Sequence, residues 1–409
     1  MRRTFGFVIA CAAGDKAQGV TGSGQPTTDG FWVDYVAHEM GHQFGANHAF
    51  SGTRGRCGNN ANLATAWEAG SGSSPMAYAG GCPVGDAPPS DNIVQFAEPF
   101  FHHGSLEEMH AFLPFAGCLA ITPTTNHIPE ITSATAGTAI PPGTPFTLTA
   151  AATDADGDSL TYSWEQFDNG ARRPLSGDGS EDTGIGALFR VFSPTTATSR
   201  TFPKMADVLA GVPTPGEKLP TVTGVNRQFR VLVRDNHPVA GGTATSGMVV
   251  LNIAAGSSPF AVTAPAQGAS LASGPGHPAT VTWSVGRTNT APISAASVAI
   301  RLSTDNGATF PTLLGTFPNT GSASVSFPVS ATAAARLRLD PVGKIFFAVS
   351  RPFTLTNPCP ADFNQDGFLD FFDYDGYVTA FETGAPGADF NGDGFADFFD
   401  YDDFVAAFE

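Results

Sequence analysis

The chain has 409 residues, of which 42% are hydrophobic, and it contains 47 glycines and 32 prolines. This length accommodates roughly two to four domains, and the many turn-forming residues favour β-sandwich modules over helical bundles. Residues 360–409 hold thirteen Asp and Glu and no Lys or Arg, so only −4 of the formal net charge of −17 belongs to the rest. A concentrated acidic tail indicates cation binding and argues against nucleic acid or an anionic membrane surface as a partner. No apolar run in the sequence has the length of a membrane span.

The segment HEMGHQFGANH, residues 38–48, has the spacing of a metal site. His38 and His42 are four residues apart, so on a helix their imidazoles lie on one face and can bind the same ion. Glu39 lies between them, where its carboxylate can reach a water molecule at the metal, as in zinc peptidases. Gly45 allows the helix to end in a left-handed conformation, after which the chain can turn back and deliver His48. The extended pattern is that of the metzincins.

Two helices are predicted around this segment. Residues 32–37 extend the motif helix towards the N-terminus, with Asp29 as a candidate N-cap and Asp34 near the positive end of the helix dipole. Residues 106–113 have apolar side chains at helical spacing and predict a helix that closes the domain.

Residues from about 3 to 126 resemble the second half of the catalytic domain of a bacterial reprolysin-like (ADAM-related) metzincin. The matching motifs are Lys16–Gly22, the segment His38–His48, Pro75–Gly80 and Phe101-His102. The zinc ligands implied by this resemblance are His38, His42 and His48, which would bind one catalytic Zn²⁺.

The resemblance also implies roles for other side chains. Glu39 is then the general base that takes a proton from the attacking water and passes it to the leaving amine. Met76 would lie in the Met-turn beneath the histidines. Tyr78 has two open interpretations, contact with the zinc or the transition-state oxyanion, and plain packing. His102 and His103 are interpreted as a structural pair, because three zinc ligands are already assigned.

The start of the chain allows two interpretations. The pair Arg2-Arg3 and the apolar run Phe5–Ala13 resemble a short signal peptide, and Val8–Cys11 resembles a lipoprotein cleavage site. A metzincin needs most of a twisted sheet before its zinc helix, however. We therefore favour Phe5–Cys11 as the last strand of that sheet, in a chain whose first part is absent.

Four of the five cysteines lie near the zinc motif and allow three disulfide connectivities. The preferred pairing joins Cys57 to Cys82 and Cys11 to Cys118, which leaves Cys359 free and fits an exported protein. Between the helix and the Met-turn, residues 51–74 are rich in Gly, Asn and Ala. They predict an irregular loop in which Glu68 is solvated.

After a linker at residues 122–126, the pattern changes to short alternating strands, which indicates two immunoglobulin-like or cadherin-like sandwiches. The predicted strands include Phe146–Ala150, Leu160–Trp164, Gln228–Val233 and Met248–Leu251 in the first module, and Ala279–Trp283, Val298–Leu302 and Ile345–Val349 in the second. Asp305-Asn306-Gly307 predicts a hairpin turn. Asp154–Asp158 is either a polar turn or a calcium-binding loop.

The tail contains an internal repeat, because Asp362–Asp373 recurs as Asp389–Asp400 twenty-seven residues later. Oxygen-bearing residues at positions 1, 3, 5, 9 and 12, with glycine at position 6, match a calcium-binding loop. The predicted ligands are Asp362, Asn364, Asp366, the Phe368 carbonyl, Asp370 and Asp373 for the first Ca²⁺, and Asp389, Asn391, Asp393, the Phe395 carbonyl, Asp397 and Asp400 for the second. Each loop leads into an apolar helical segment, Tyr374–Phe381 or Tyr401–Phe408.

With one helix per loop and Asp at position 12, the repeat resembles a type I dockerin. In cellulosomal dockerins, positions 10 and 11 help to recognise a cohesin and are usually small and hydroxylated. Here they are Phe371-Phe372 and Phe398-Phe399. The resemblance implies the fold, while the partner stays open between a cohesin-like protein and another surface receptor, and a calcium-stabilised end cap is a further alternative.

These features predict a multidomain, secreted or cell-surface zinc endopeptidase that cleaves proteins or peptides. Its predicted parts are a partial α+β metzincin domain at 1–127, two all-β Ig-like sandwiches at 128–255 and 256–357, and a small all-α dockerin-like EF-hand pair at 358–409. One alternative is a non-catalytic binding or surface-anchoring protein with a vestigial zinc domain. The presence of Glu39 argues against it, because a degenerate site would usually lose its base first. Another alternative, a component of a polysaccharide-degrading assembly, rests on the dockerin likeness alone.

Overall fold

The structure, a computed structural model, describes residues 21, 24, 26–83, 90–120, 122–274, 277–357, 359–366, 368–385 and 387–408. These residues form two compact units. The first consists of the described residues of Met1–Pro259 and Gly286–Ile293, and the second of those of Phe260–Val285 and Ser294–Glu409. The predicted strand Phe5–Cys11 and nearly all of the Lys16–Gly22 motif lie outside the described residues.

The described residues of 21–120, here called the peptidase-like part after the resemblance found in the sequence, are built from helices and ordered loops. The motif helix runs through Asp29–Phe31, a π-helical segment Trp32–Ala37, and His38–Gln43. A second helix, His103–Phe112, continues into the 3-10 turn Leu113–Phe115, which confirms the predicted closing helix. Within the described part of residues 21–120, strand pairing is limited to an isolated bridge between Phe50 and Glu68.

The disulfide between Cys57 and Cys82 confirms the preferred pairing of these two residues. Cys118 is also disulfide-bonded, and its predicted partner Cys11 lies outside the described residues. Cys359 is a free thiol, as predicted. The Cys57–Cys82 bond therefore fixes the loop after the motif helix to the segment that follows the Met-turn.

The first sandwich consists of a three-stranded sheet in the order β1-β3-β5 and a second sheet in the order β2-β8-β6-β4, with β7 paired to β6. Its strands are β1 (Glu130–Ala134), β2 (Thr138–Ile140), β3 (Phe146–Thr153), β4 (Thr161–Gln166), β5 (Ser199–Phe202), β6 (Val225–Arg234), β7 (Thr243–Thr245) and β8 (Val249–Ile253). A short helix, Met205–Ala210, follows β5.

Aromatic side chains from both sheets form the core of this sandwich. Phe146 of β3 stacks on Phe202 of β5 with ring centroids 5.1 Å apart, and Phe229 of β6 lies 5.0 Å from Phe202. All three side chains are fully buried. The alternating pattern that predicted these strands thus reflects inward-facing residues on two packed sheets.

The second sandwich has one sheet in the order β14-β11-β9 and another in the order β10-β17-β15-β12-β13, with β16 paired to β15. Its strands are β9 (Ala261–Ala264), β10 (Ser270–Ala272), β11 (Pro278–Ser284), β12 (Ser297–Ser303), β13 (Thr312–Pro318), β14 (Ser322–Ser326), β15 (Thr332–Pro341), β16 (Ala348–Val349) and β17 (Phe353–Thr356).

Two local predictions in this module had different outcomes. The turn predicted at Asp305–Gly307 is confirmed, since β12 and β13 pair antiparallel and Asn306 and Gly307 have φ values of 60° and 89°. The strand predicted at Ile345–Val349 is wrong for its first part, because only Ala348–Val349 is in β16. Phe346 and Phe347 are buried without being in a strand, so their apolar character reflects burial alone.

The tail forms two helices, Phe371–Thr383 and Phe398–Phe408, each beginning at position 10 of one copy of the repeat, three residues before the predicted start. Tyr377 and Phe404 stack face to face with centroids 3.9 Å apart, and the hydroxyl oxygens of Tyr374 and Tyr401 are 2.5 Å apart. Equivalent positions of the repeat therefore meet in one small aromatic core. Among the described residues, no helix combines the length and the apolar character that a membrane crossing needs.

Candidate metal centre

The N-terminal half of the motif helix is fixed by polar contacts. Thr28, and not Asp29 as predicted, is the N-cap, since its hydroxyl accepts a hydrogen bond from the Phe31 N–H. Asp29 instead occupies the first helical turn, where its charge suits the positive end of the dipole. Asp34 accepts a hydrogen bond of 2.5 Å from the Ala97 N–H, which ties the π-helical turn to the rest of the domain.

Three imidazoles converge on one point at the end of this helix. Nε2 of His42 lies 3.1 Å from Nε2 of His38 and 3.2 Å from Nε2 of His48. The three rings thus form a cluster of potential metal ligands that combines two helical positions with one position beyond the helix. The spacing in the sequence predicted the two helical members, and the turn at Gly45 brings the third.

Backbone carbonyls fix the tautomer of each ring. Nδ1 of His38 donates to the Pro75 carbonyl at 2.6 Å, Nδ1 of His42 to Ala46 at 2.7 Å, and Nδ1 of His48 to Asn60 at 2.6 Å. Because a carbonyl only accepts, each Nδ1 carries the proton and each Nε2 presents a lone pair. Three lone pairs at this separation repel one another unless a cation lies between them.

Burial keeps two of these imidazoles neutral. It lowers the pKa of His38 to about 3, with further lowering by His42 and His48, and it lowers the pKa of His48 to about 4, with a smaller effect from His42. Neutral imidazole is the form that binds a metal. Three nitrogens of a tetrahedral zinc site lie about 3.4 Å apart at ordinary Zn–N distances, so the observed spacing suits Zn²⁺.

Two glycines allow the helix and the Met-turn to meet. A Cβ at Gly41 would lie 2.2 Å from the Met76 sulfur, so only glycine lets Met76 pack directly beneath the helix. Gly45 has φ of +91°, and a Cβ there would also approach Phe112. Met76 is fully buried with Ala46, Ala49 and Trp67, and this apolar cluster forms the floor below the histidines.

Glu39 and Tyr78 line the same open cavity of about 1250 Å³ as His38. The Tyr78 ring centroid lies 4.7 Å from that of His48 and 5.7 Å from that of His38. Burial raises the pKa of Glu39, and burial together with the Glu39 charge raises the pKa of Tyr78. A carboxylate and a protonated phenol therefore face the cavity beside the three imidazoles.

The prediction that Glu68 is solvated is wrong. Its side chain is fully buried and accepts hydrogen bonds from the N–H groups of Ser73 and Ser74 and from the Ser74 hydroxyl. Burial raises the pKa of this carboxyl, although the surrounding donors oppose the shift. Glu68 thus orders the turn that leads into Pro75 and Met76. The small hydroxylated residues after it were the signal in the sequence.

A second buried cluster joins the peptidase-like part to the first sandwich. Glu165 of β4 accepts hydrogen bonds from the N–H and Nδ1 of His103, at 2.7 Å and 2.8 Å, and its carboxylate lies 3.5 Å from Nε2 of His102. All three side chains are completely buried. His102 already donates to the Gln166 carbonyl and accepts from the Gly104 N–H, so both of its nitrogens have partners. This cluster is therefore suited to structure, which agrees with the predicted structural pair.

The acidic loops have a different arrangement. Asp154, Asp156 and Asp158 bring carboxylate oxygens close together in the first sandwich. In the tail, the carboxylates of Asp373 and Asp400 each accept hydrogen bonds from two backbone N–H groups of their own loop. The two hydrogen bonds to Asp400 lower the pKa of its carboxyl. Among the described tail residues, the carboxylates of neither loop form a comparable three-membered cluster.

Comparison with known proteins gives one family match. A model described as Metallo-peptidase family M12B Reprolysin-like matches residues 13–98, which include the three histidines, Glu39, Met76 and Tyr78. This segment is therefore similar to reprolysin-like metallopeptidases, a family that implies Zn²⁺. No curated protein matches the chain.

Several solved structures that contain immunoglobulin or FN domains are similar to this chain. The N-terminal Ig1-2 module of Drosophila Receptor Protein Tyrosine Phosphatase DLAR is 11% identical, covering 56% of this chain and 99% of its own, with a TM-score of 0.27. The chicken CNTN1 FN1-FN3 domains are 13% identical, covering 57% and 69%, with a TM-score of 0.23. Sidekick-1 immunoglobulin domains 1-5 are 9% identical at a TM-score of 0.18, and the match covers 57% of this chain and 38% of that one.

Proposed function

We propose that this protein is a secreted zinc-dependent endopeptidase that hydrolyses peptide bonds of proteins. The observation that carries the proposal is the convergence of three imidazoles, with Nε2 of His38 and of His48 within 3.2 Å of Nε2 of His42, beside a carboxylate in an open cavity. His38, His42 and His48 would hold the ion. A bound Zn²⁺ supplies Lewis-acid chemistry, acidifying water and polarising a carbonyl.

Two side chains, Glu39 and Tyr78, would then transfer or donate protons during the reaction. Glu39 is half-buried, and its raised pKa brings its basicity nearer to neutral pH, where a general base is most effective. It would accept a proton from the attacking water and return it to the leaving amine. Tyr78 stays protonated because its pKa is raised, so its O–H can donate to the oxyanion of the transition state.

Removal of one proposed zinc ligand tests the proposal directly. We expect the wild-type protein to retain one zinc ion per chain and to cleave casein. Replacing His42 with alanine should remove both properties, because two imidazoles rarely retain zinc against a chelator. The matched control is His110→Ala, since His110 lies exposed on the helix 103–112. Zinc content is measured by mass spectrometry after dialysis, and cleavage by release of soluble peptides.

A zinc-loaded wild-type protein that cleaves no protein substrate would contradict the peptidase proposal and favour the rival class, a non-catalytic binding or anchoring protein. Equal zinc content in the wild type and His42→Ala would contradict the proposed ligand set.

We further propose that the tail binds two Ca²⁺ ions through the loops Asp362–Asp373 and Asp389–Asp400, and that it serves as a dockerin-like attachment module. The repeated ligand pattern and the acidic charge support calcium. Position 12 of each loop, Asp373 or Asp400, is buried against its own loop and lies in the first turn of the helix that begins at position 10. Calcium at the loop would therefore stabilise the packing of the two helices.

Six phenylalanines of the tail are 67–72% exposed, two of them at loop position 7 and four at positions 10 and 11. They are Phe368, Phe371, Phe372, Phe395, Phe398 and Phe399. Such bulky apolar side chains do not match the small hydroxylated residues of cellulosomal dockerins. They favour a receptor with an apolar surface over a typical cohesin.

Calcium titration of the full-length protein tests the tail. We expect isothermal titration calorimetry to give two ions per chain in the wild type and none in the double variant Asp366→Ala/Asp393→Ala, which removes position 5 from both loops. The control is Asp375→Ala/Asp402→Ala, because these exposed carboxylates lie on the helices and outside the ligand positions. Equal stoichiometry in the wild type and the double variant would refute these loops as calcium sites.

A further inference from the structure

The first sandwich contacts the turn around Asn60, whose carbonyl accepts the hydrogen bond that orients His48, one of the proposed zinc ligands. We propose that residues 169–173 of this sandwich, here called the support segment, position His48 and make the sandwich a functional part of the metal centre. The inference rests on the proposed zinc peptidase function.

His48 is the ligand whose position depends least on helical geometry, because it lies beyond the end of the motif helix. Its ring is oriented by the hydrogen bond of 2.6 Å from Nδ1 to the Asn60 carbonyl. Asn60 lies in an exposed turn that is tied to the protein by the Asn60 N–H bond to Cys57 and by its side-chain amide, which donates to the Arg56 carbonyl. Any displacement of this turn would rotate the imidazole.

The support segment binds this turn on both sides of Asn60. The Arg172 guanidinium donates to the Gly58 carbonyl at 2.6 Å, two residues before Asn60. The Gly170 N–H donates to the Leu63 carbonyl at 2.8 Å, and the Asn169 amide donates to the Ala64 carbonyl. Three donors of the sandwich therefore hold the carbonyls of one short peptide turn.

The support segment is itself well anchored. It begins three residues after the end of β4, and the preceding Asp168 is buried and accepts hydrogen bonds from the Gln166 side chain and from the Gln228 N–H. At its other end, Arg173 is buried, and its N–H donates to the Ser51 carbonyl at 2.9 Å. Hydrogen bonds at both ends of the support segment therefore fix the donors that contact the turn.

The other two zinc ligands provide an internal contrast. The carbonyls that orient His38 and His42 belong to Pro75 and Ala46, within the peptidase-like part itself. Loosening the support segment should therefore disturb one ligand of three. Outer partners of metal ligands commonly change metal affinity by about 10- to 100-fold when they are lost.

The test is the zinc dissociation constant of the full chain, measured by competition with a chelator. We compare the wild type with Asn169→Ala/Arg172→Ala, which removes two side-chain donors, and with Asn252→Ala/Arg287→Ala as the control. Asn252 donates to Asn226 and Arg287 to the Gly256 carbonyl, so this pair removes the same residue types elsewhere in the unit. We expect weaker zinc binding by about 10-fold in the first variant and unchanged binding in the control.

Two further readouts distinguish positioning from general stability. In the cobalt-loaded protein, the visible absorption bands should shift in Asn169→Ala/Arg172→Ala, because the ligand geometry changes. The melting temperature of the zinc-free protein should match that of the control. Should the double variant fail to fold, Arg172→Gln alone is measured, and Arg172→Lys is expected to restore part of the affinity because it retains a donor.

Unchanged zinc affinity and cobalt spectrum in the variants would overturn the inference, and so would an affinity loss that merely follows a lower zinc-free melting temperature. A wild-type protein that binds no zinc, or that binds zinc without cleaving casein, would instead overturn the proposed function.

Discussion

Replacing Glu39 with glutamine is expected to reduce casein hydrolysis by about 10²- to 10⁴-fold, the usual contribution of a general base. Glutamine has nearly the same shape, but it cannot accept a proton from water at neutral pH. The three imidazoles and their carbonyl partners are untouched by the substitution. The zinc content should therefore remain one ion per chain, and kcat should fall while KM changes little.

The matched control for this experiment is Glu107→Gln, because Glu107 lies on the helix 103–112 outside the cavity that contains Glu39, and glutamine keeps an oxygen that accepts from its partner Arg230. Its activity should equal that of the wild type. Full activity in Glu39→Gln would show that another group acts as the base, whereas loss of activity together with zinc would point to a defect in the metal centre.

A similarly large effect, on stability, is expected for Glu165→Ala. Its carboxylate is completely buried and accepts the N–H and Nδ1 hydrogen bonds of His103. Removing it leaves these donors without an acceptor in a site closed to water, which typically costs about 3–5 kcal/mol for a buried pair. We expect the free energy of unfolding of the zinc-free protein to fall by about this amount.

Urea denaturation followed by tryptophan fluorescence measures this change, since three of the four tryptophans, Trp32, Trp67 and Trp164, lie in the first unit. Trp67 stacks on His102 with ring centroids 5.6 Å apart and therefore reports on the cluster itself. Glu181→Ala removes an exposed glutamate of the same sandwich and should change the stability by less than about 0.5 kcal/mol. Equal midpoints for Glu165→Ala and Glu181→Ala would mean that the cluster adds no net stability.

Much of the metal centre could be predicted from sequence spacing. Two histidines at i and i+4 on a helix must share a face, and a glycine after them allows the chain to return with a third ligand. The carbonyl partners could not be predicted from the sequence, because Pro75 and Asn60 approach His38 and His48 through the tertiary fold. The N-cap was misplaced by one residue, since Thr28 and Asp29 are both good capping residues.

The contact between the peptidase-like part and the first sandwich was the largest feature missed. Glu165 lies in a strand whose alternating pattern predicts β4 but gives no partner for a charged residue. Its partners His102 and His103 are more than sixty positions away in the sequence. Glu68 was misjudged for a related reason, since composition predicts solvent exposure for a glutamate unless nearby donors are recognised.

The Cys57–Cys82 bond ties the turn that orients His48 to the redox environment of the protein. The Cys57 carbonyl accepts a hydrogen bond from the Asn60 N–H, and the Asn60 carbonyl orients His48. Cys82 follows Tyr78 by four residues. One covalent bond therefore joins the turn that orients His48 to the segment that follows Tyr78. Thiol-reducing compartments remove such bonds, whereas oxidising ones preserve them. The redox state of this bond thus bears on the turn that orients His48, whereas the carbonyls of Pro75 and Ala46 orient His38 and His42 independently of it.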